Sequence, residues 1–243
     1  MTKTKMKSTK RRLVEFFRDI LTLALVRIKR QRFNNLTIRK NTSDLNVFRS
    51  IFLYEEFKLP VRIQPSLIID AGAYAGFSTL YFSNKYPSAQ IIAVEPEKSN
   101  YEKLKRHVEG RTHVETINAA IWNKNAWLRI IDRGTGKWGF MVKEASVEDE
   151  LDVEAITISS ILNKSGFDRI GLLKIDIEGS EQELFSSNTE EWLPKVDVLY
   201  IELHDRIKKD CSRVFYAAVN KYGLWKEFKR GEKVVLIRKD LVK

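Results

Sequence analysis

Five times between residues 66 and 223 an apolar run of strand length is followed by a stretch with helical spacing. The runs are SLIIDA, AQIIAVEP, DVEAITIS, IGLLKIDIEG and VDVLYIELHD. Their partners are FSTLYFSNKY, SNYEKLKRHV, ISSILNKSG, SEQELFSS and SRVFYAAVNKYG. Unbroken apolar strands need cover on both faces, and strands that alternate with helices make a mostly parallel sheet between two helical layers. The right-handed crossover rule then fixes the winding. HVETINAAIW reads as a strand with an apolar continuation, and NAWLRIID with KWGFMVKE as a hairpin about GTG. LWKEFKR and KVVLIRK read as a closing antiparallel pair about Gly231. Ser43 and Asp44 are N-cap residues for a helix over 45–59 that stops before Pro60. The expected division is a basic arm over 1–40 and an α/β domain over 41–243. Within that domain 41–60 form a leading helix and 61–243 a Rossmann-like core.

The excess charge lies in one place. Residues 1–40 carry 13 Lys/Arg against 2 Asp/Glu, while the remaining residues carry 30 of each. A body without net charge argues against a nucleic-acid groove, so no nucleic-acid partner is expected. In the arm, Leu13, Phe16, Phe17, Ile20, Leu21, Ala24 and Ile28 fall at helical spacing, interrupted by Glu15, Arg18, Asp19 and Arg27. A bilayer crossing needs about 20 apolar residues, so this segment does not span. Two readings stay open: a basic amphipathic helix on an anionic membrane surface, or a helix packed on the domain. Cys211 is the one cysteine. An internal disulfide is excluded, and a cytoplasmic setting is expected, at the inner membrane surface if the arm binds lipid.

In open parallel sheets, ligands bind beyond the carboxyl ends of the strands, where the strand order reverses. Asp70, Glu95, Asn118, Asp176, Glu202 and His204 all fall at such ends. Gly72 and Gly76 follow Asp70 as D-x-G-x-x-x-G, a turn that lets a ligand approach backbone. A dinucleotide fingerprint needs G-x-G-x-x-G, and a phosphate loop G-x-x-x-x-G-K-[ST]; neither is present. An acid at the lip would repel pyrophosphate and suits a cationic or zwitterionic ligand. Glu95 lies 19 residues beyond Gly76, where a carboxylate can take both ribose hydroxyls of an adenosine. Together these favour S-adenosylmethionine, with its ammonium near Asp70, its ribose on Glu95 and its adenine beside Asn118, Ala119 and Ala120.

The stretch DAGAYAGFSTLYF resembles the first motif of class I methyltransferases. With AVEP, NAAIW, KWGFMV, LLKIDIEGSEQELF and YIELH, the chain from about residue 44 onward resembles the FkbM family. The resemblance implies a seven-stranded, mostly parallel Rossmann-like sheet with an antiparallel C-terminal strand pair and helices on both faces. It implies methyl transfer from S-adenosylmethionine to a hydroxyl of a glycan, glycolipid or secondary metabolite. It carries over a cofactor site of Asp70, Gly72, Ala73, Gly76, Glu95, Asn118 and Asp176. Tyr74 stands where many members have asparagine, and its backbone still serves.

An alcohol attacks well only as its proton leaves, so a base near the acceptor is expected. Asp176 and Glu178 end one strand, and Glu202 and His204 share a face at the end of the next. His204 is the preferred base, its ordinary pKa of ~6.5 suiting proton uptake near neutrality, with Glu202 or Glu178 orienting it. Asp176, Glu202 and His204 could instead hold a divalent metal, but histidine is a poor ligand for Mg²⁺, and the base reading is preferred. Trp138 is either a lid over a sugar face or the hairpin's own core residue. Trp127, Trp192 and Trp225 read as packing residues, and His107 and His113 show no partner. Two rival functions are an NAD-type oxidoreductase on a related sheet and a non-catalytic membrane- or partner-binding protein. The acid–glycine turn followed by KIDIEG and IELH favours the transferase over both.

Overall fold

A computed structural model describes residues 35–132, 140–144 and 152–242, together with Ala24 and Ile28. Most of the arm and Trp138 lie outside the described residues. None of the described helices is long and apolar enough to cross a membrane.

The chain forms two compact units, Met1–Glu56 and Phe57–Lys243. In the first, helix α1 spans Asp44–Phe52. Its capping differs from expectation. Ser43 makes no side-chain cap, and Asp44 turns inward to accept the Arg39 backbone N–H at 2.8 Å and the Arg39 guanidinium at 2.8–3.1 Å.

The second unit contains the doubly wound sheet. Its strands are β1 (Leu67–Ala71), β2 (Gln90–Val94), β3 (Val114–Ile117), β8 (Leu172–Ile175), β9 (Val198–Glu202), β10 (Trp225–Arg230) and β11 (Lys233–Arg238), in the order β10-β11-β9-β8-β1-β2-β3. Only β11 runs against its neighbours; β10 pairs antiparallel with β11 and so returns to the common direction. The expected C-terminal antiparallel pair is present. The order reverses between β1 and β8, and that reversal places the ligand crevice.

Strand β1 is buried throughout because helices cover both of its faces. Ile69 and Ala71 join a core with Ile92, Leu173, Ile175, Leu199, Phe185 and Phe215. On the other face lie Ile68 and Asp70, covered by α2 (Phe77–Lys85). Helix α3 (Lys98–Val108) is capped by Glu97, which accepts the N–H groups of Ser99 and Asn100. Helix α4 (Ile158–Ser165) is capped by Thr157, α5 is the short Glu181–Leu184, and α6 is Cys211–Asn220.

The continuation of HVETINAAIW does not extend β3. The chain leaves the main sheet at Asn118, and β4 (Ala120–Ile121) enters a second, four-stranded sheet of order β4-β7-β5-β6, with β5 Ala126–Asp132, β6 Phe140–Glu144 and β7 Val153–Ile156. The expected hairpin is its β5–β6 pair. Apolar patterning marks each strand but does not say which sheet it joins. Trp192 is buried as expected, whereas Trp127 on β5 is 55% exposed.

Gly72 and Gly76 have left-handed backbones, with φ of +75° and +84°. A Cβ on Gly72 would lie 1.9 Å from the carbonyl oxygen of Asp176, and one on Gly76 2.7 Å from Leu104 Cδ1. Gly72 is therefore required by the neighbouring backbone, whatever ligand also passes, and Gly76 is favoured by its left-handed backbone and the packing of Leu104. Gly72→Ala is expected to lose more than about 2 kcal/mol in urea unfolding, combining backbone strain with a forced parting of β1 and β8. The comparison is Gly223→Ala, where φ is +59° and a Cβ meets nothing within 4 Å among the described residues; about 1 kcal/mol is expected there. Equal losses at the two positions would refute the close-approach explanation.

Candidate active site

The site has two halves. The first surrounds the glycine turn. Gly72 and Ala73 N–H both donate to the Val94 carbonyl at 3.0 Å, which draws the turn over the end of β2. Tyr74 has φ +51°, a left-handed value that asparagine tolerates better than tyrosine. Its N–H donates to Glu95 Oε2 at 2.9 Å. Glu95 Oε1 accepts the Glu97 N–H at 3.1 Å and the Asn100 amide at 3.4 Å. Burial pushes the Glu95 carboxyl up to about 7, against those hydrogen bonds from Glu97, Tyr74 and Asn100. Two carboxylate oxygens offer about four acceptor directions, and these three bonds leave about one for a ribose hydroxyl. His107 is not partnerless: it is buried, with Nδ1 2.7 Å from the Ala75 carbonyl. His113 Nε2 lies 2.8 Å from Ser83 Oγ.

Asp70 corrects the sequence reading. Alternation along β1 turns its side chain beneath α2 and away from the lip. It is fully buried, accepts the Ser78 and Thr79 hydroxyls at 2.7 Å each, and faces Lys174 Nζ at 3.3 Å. Lys174 also donates to the Gly72 carbonyl at 2.5 Å and the Ala71 carbonyl at 3.4 Å. Asp70 therefore supports the glycine turn from below. Asn118 also differs: its amide donates to the Glu95 and Pro96 carbonyls at 2.9 Å each, so its donor is spent on the β2 loop. Ala119 is buried in the main core.

The second half is where β8 and β9 end. His204 is 1% exposed. Its Nδ1 lies 2.9 Å from Glu181 Oε1, and its Nε2 stands 3.8 Å from Asp176 Oδ1, 3.7 Å from Glu178 Oε2 and 3.6 Å from Glu202 Oε1. The four expected residues do converge. Glu181, however, is the orienting acid; Glu178 and Glu202 stand on the opposite side of the ring. Glu181 is fully buried and also accepts the N–H groups of Ile177 at 3.1 Å and Gly179 at 2.8 Å, closing the turn in which Glu178 and Gly179 both have positive φ. Lys233 bridges the far oxygens, 3.2 Å from Asp176 Oδ2 and 2.6 Å from Glu202 Oε2.

The charges reshape the protonation of this cluster. Burial alone would raise Asp176, but Lys233, then Lys174 and His204, hold it down to about 2. Burial and the Asp176 charge push Glu178 up to about 8, although His204 opposes this. Burial would lower His204, yet its hydrogen bond to Glu181 and the surrounding acids hold it up to about 9. The imidazole therefore carries a proton at neutrality, unlike the ordinary histidine expected.

Lys174, Glu181 and Lys233 also belong to the site, beyond the residues expected from sequence. Lys174 had a signal: it interrupts the apolar run of β8 as Asp70 interrupts β1, and the two residues are register partners. Lys233 is likewise the register partner of Glu202. Nothing distinguished Glu181 from the other acids of its short helix.

A family model described as the Methyltransferase FkbM domain matches residues 70–228. "Methyltransferase 1" of Beauveria bassiana is 23% identical over 185 residues, covering 65% of this chain and 73% of the relative. "Methyltransferase sdnD" of Sordaria araneosa is 25% identical over 181 residues, covering 60% and 69%. The crystal structure of an FkbM methyltransferase from Methylobacillus flagellatus is similar in fold, with a TM-score of 0.50 and 12% identity over 78% of this chain and 47% of that longer one. The matched segment runs from the acid before the glycine turn through the paired strand ends and into β10; on that match, over a class I methyltransferase sheet, the chain belongs to the FkbM methyltransferase family.

Proposed function

We propose that this chain transfers the methyl group of S-adenosylmethionine to a hydroxyl of a glycan, glycolipid or secondary metabolite, in the cytoplasm. The observation that carries this reading is the meeting of two differently built strand ends across the switch point. On one side, the glycine turn and Glu95 offer backbone and carboxylate to a nucleoside. On the other, Asp176, Glu178, Glu202 and His204 gather where an acceptor hydroxyl would lose its proton.

The acceptor oxygen attacks the sulfonium methyl carbon in line. The O–CH₃ bond forms, the S–CH₃ bond breaks, and its electron pair stays on sulfur as a neutral thioether. Alignment alone supplies roughly 7–11 kcal/mol in well-oriented reactions. The hydroxyl proton passes to His204 or Glu202, which stand together at the end of β9. Nδ1 of His204 is committed to Glu181, which leaves Nε2 facing the acceptor side. That nitrogen takes up the proton after releasing its own to solvent as the site fills. Asp176, held at about 2, is too weak a base for this and serves as a charge. Lys174 and Asp70 keep the glycine turn in place beneath the cofactor.

Calorimetry with S-adenosylhomocysteine is expected to show one molecule bound per chain. Because Glu95 titrates near about 7 and its ionised form accepts a ribose hydroxyl, affinity should rise several-fold from pH 6 to pH 8. That rise should flatten in Glu95→Gln. Folded protein that takes up no S-adenosylhomocysteine would remove the reading. In a mass-shift screen of extracted glycans and lipids with labelled S-adenosylmethionine, His204→Ala should lose ~10²-fold or more in turnover while keeping its S-adenosylhomocysteine affinity within about threefold. Normal turnover in that variant would clear His204 of any role in the chemistry.

A further inference from the structure

We propose that Asp176, Glu178 and His204 form a site for one divalent transition-metal cation, of the Mn²⁺, Co²⁺ or Zn²⁺ type. Nε2 of His204 is buried and has no hydrogen-bond partner among the described residues, and it points at three carboxylate oxygens. The gaps of 3.6–3.8 Å exceed a hydrogen bond of about 2.7–3.2 Å. They match the separation of two ligand atoms that share an ion, since ligands each about 2.0–2.2 Å from a metal stand roughly 3–4 Å apart. One ligand atom each from Asp176, Glu178 and His204 falls within 4.8 Å of the others.

The surroundings are those of a ligating histidine. A metal-bound imidazole commonly gives its other N–H to a carboxylate, which fixes the tautomer and ring plane. Glu181 does this for His204 and is itself pinned by two backbone N–H groups. Lys233 takes the far oxygens of Asp176 and Glu202, which leaves the near oxygens converging on Nε2. Four acids, Asp176, Glu178, Glu181 and Glu202, meet Lys233 and His204 in a largely buried space, with the exposed Arg206 guanidinium 3.6 Å from Glu202 Oε1; a dication that takes the place of the protons on Glu178 and Nε2 would balance these carboxylates. One imidazole nitrogen with carboxylate oxygens suits Mn²⁺, Co²⁺ or Zn²⁺ better than Mg²⁺.

The inference rests on the methyltransferase reading and deepens it. A hydroxyl beside the cation loses its proton more readily, and Glu202, outside the three ligands, is then placed to receive it. His204 would act as a ligand in that state.

The test uses the full chain, first stripped with a chelator and then titrated calorimetrically with Mn²⁺ alone. The expected result is one equivalent bound, a raised melting temperature, and binding weakened at least tenfold in both Glu178→Gln and His204→Gln. Glu154→Gln, on the second sheet, should bind as the parent does. Melting curves of the variants establish that they fold, and the parent titration stands without them. Stripped protein that binds S-adenosylhomocysteine but takes up no Mn²⁺, Co²⁺ or Zn²⁺ overturns the cation site and leaves the methyltransferase reading intact. Uptake unchanged in both ligand variants overturns it too. Failure to bind S-adenosylhomocysteine, with Mn²⁺ uptake intact, strikes the methyltransferase reading instead.

Discussion

Strands β1 and β8 stay paired to their carboxyl ends, and just beyond them the two backbones run so close that no side chain fits at Gly72. Lys174 holds this approach from inside, reaching from β8 to two carbonyls and the carboxylate at the end of β1. A buried ammonium is costly unless its charge is matched and its protons are shared. Here it is matched by Asp70, which in turn accepts two hydroxyls from the helix that follows the turn. One buried ion pair therefore fixes the turn, the helix start and the adjoining strand together. The crevice beyond them inherits its shape from that arrangement.

This accounts for the uneven legibility of the sequence. The alternation of apolar runs with helical spacing specifies a two-sided parallel sheet because burial on both faces admits little else. The ends of strands could be named because side chains there leave the apolar run. Partnership was harder to read. Asp70 looks like an exposed acid in the sequence, since nothing local says that the lysine of KIDIEG lies opposite it. Register alone decides that, and register is a property of two strands. Glu181 is hidden for a similar reason: its role depends on where His204 arrives from β9. Departure of the chain to a second sheet at Asn118 has no composition mark, because β4 is as apolar as a continued β3 would be.

The two halves of the crevice handle charge in opposite ways. Around Glu95 a single acid is buried with neutral donors, and its affinity for a proton rises toward neutrality. At the ends of β8 and β9 several acids are crowded together, and the opposing charges of Lys233 and His204 separate their proton affinities widely. The first arrangement suits reversible grip on a neutral hydroxyl. The second suits a site whose working charge state is set by what enters it.

Lys233 follows Asp176 by 57 residues and Glu202 by 31. It reaches both only because β11 inserts antiparallel beside β9, between that strand and β10. A nascent chain emerging from the ribosome has both acids before it has their ammonium. Until the hairpin of β10 and β11 docks, the carboxylates repel one another and the pocket lacks its final shape. The charge that joins the ends of β8 and β9 is thereby supplied by the last strand of the chain.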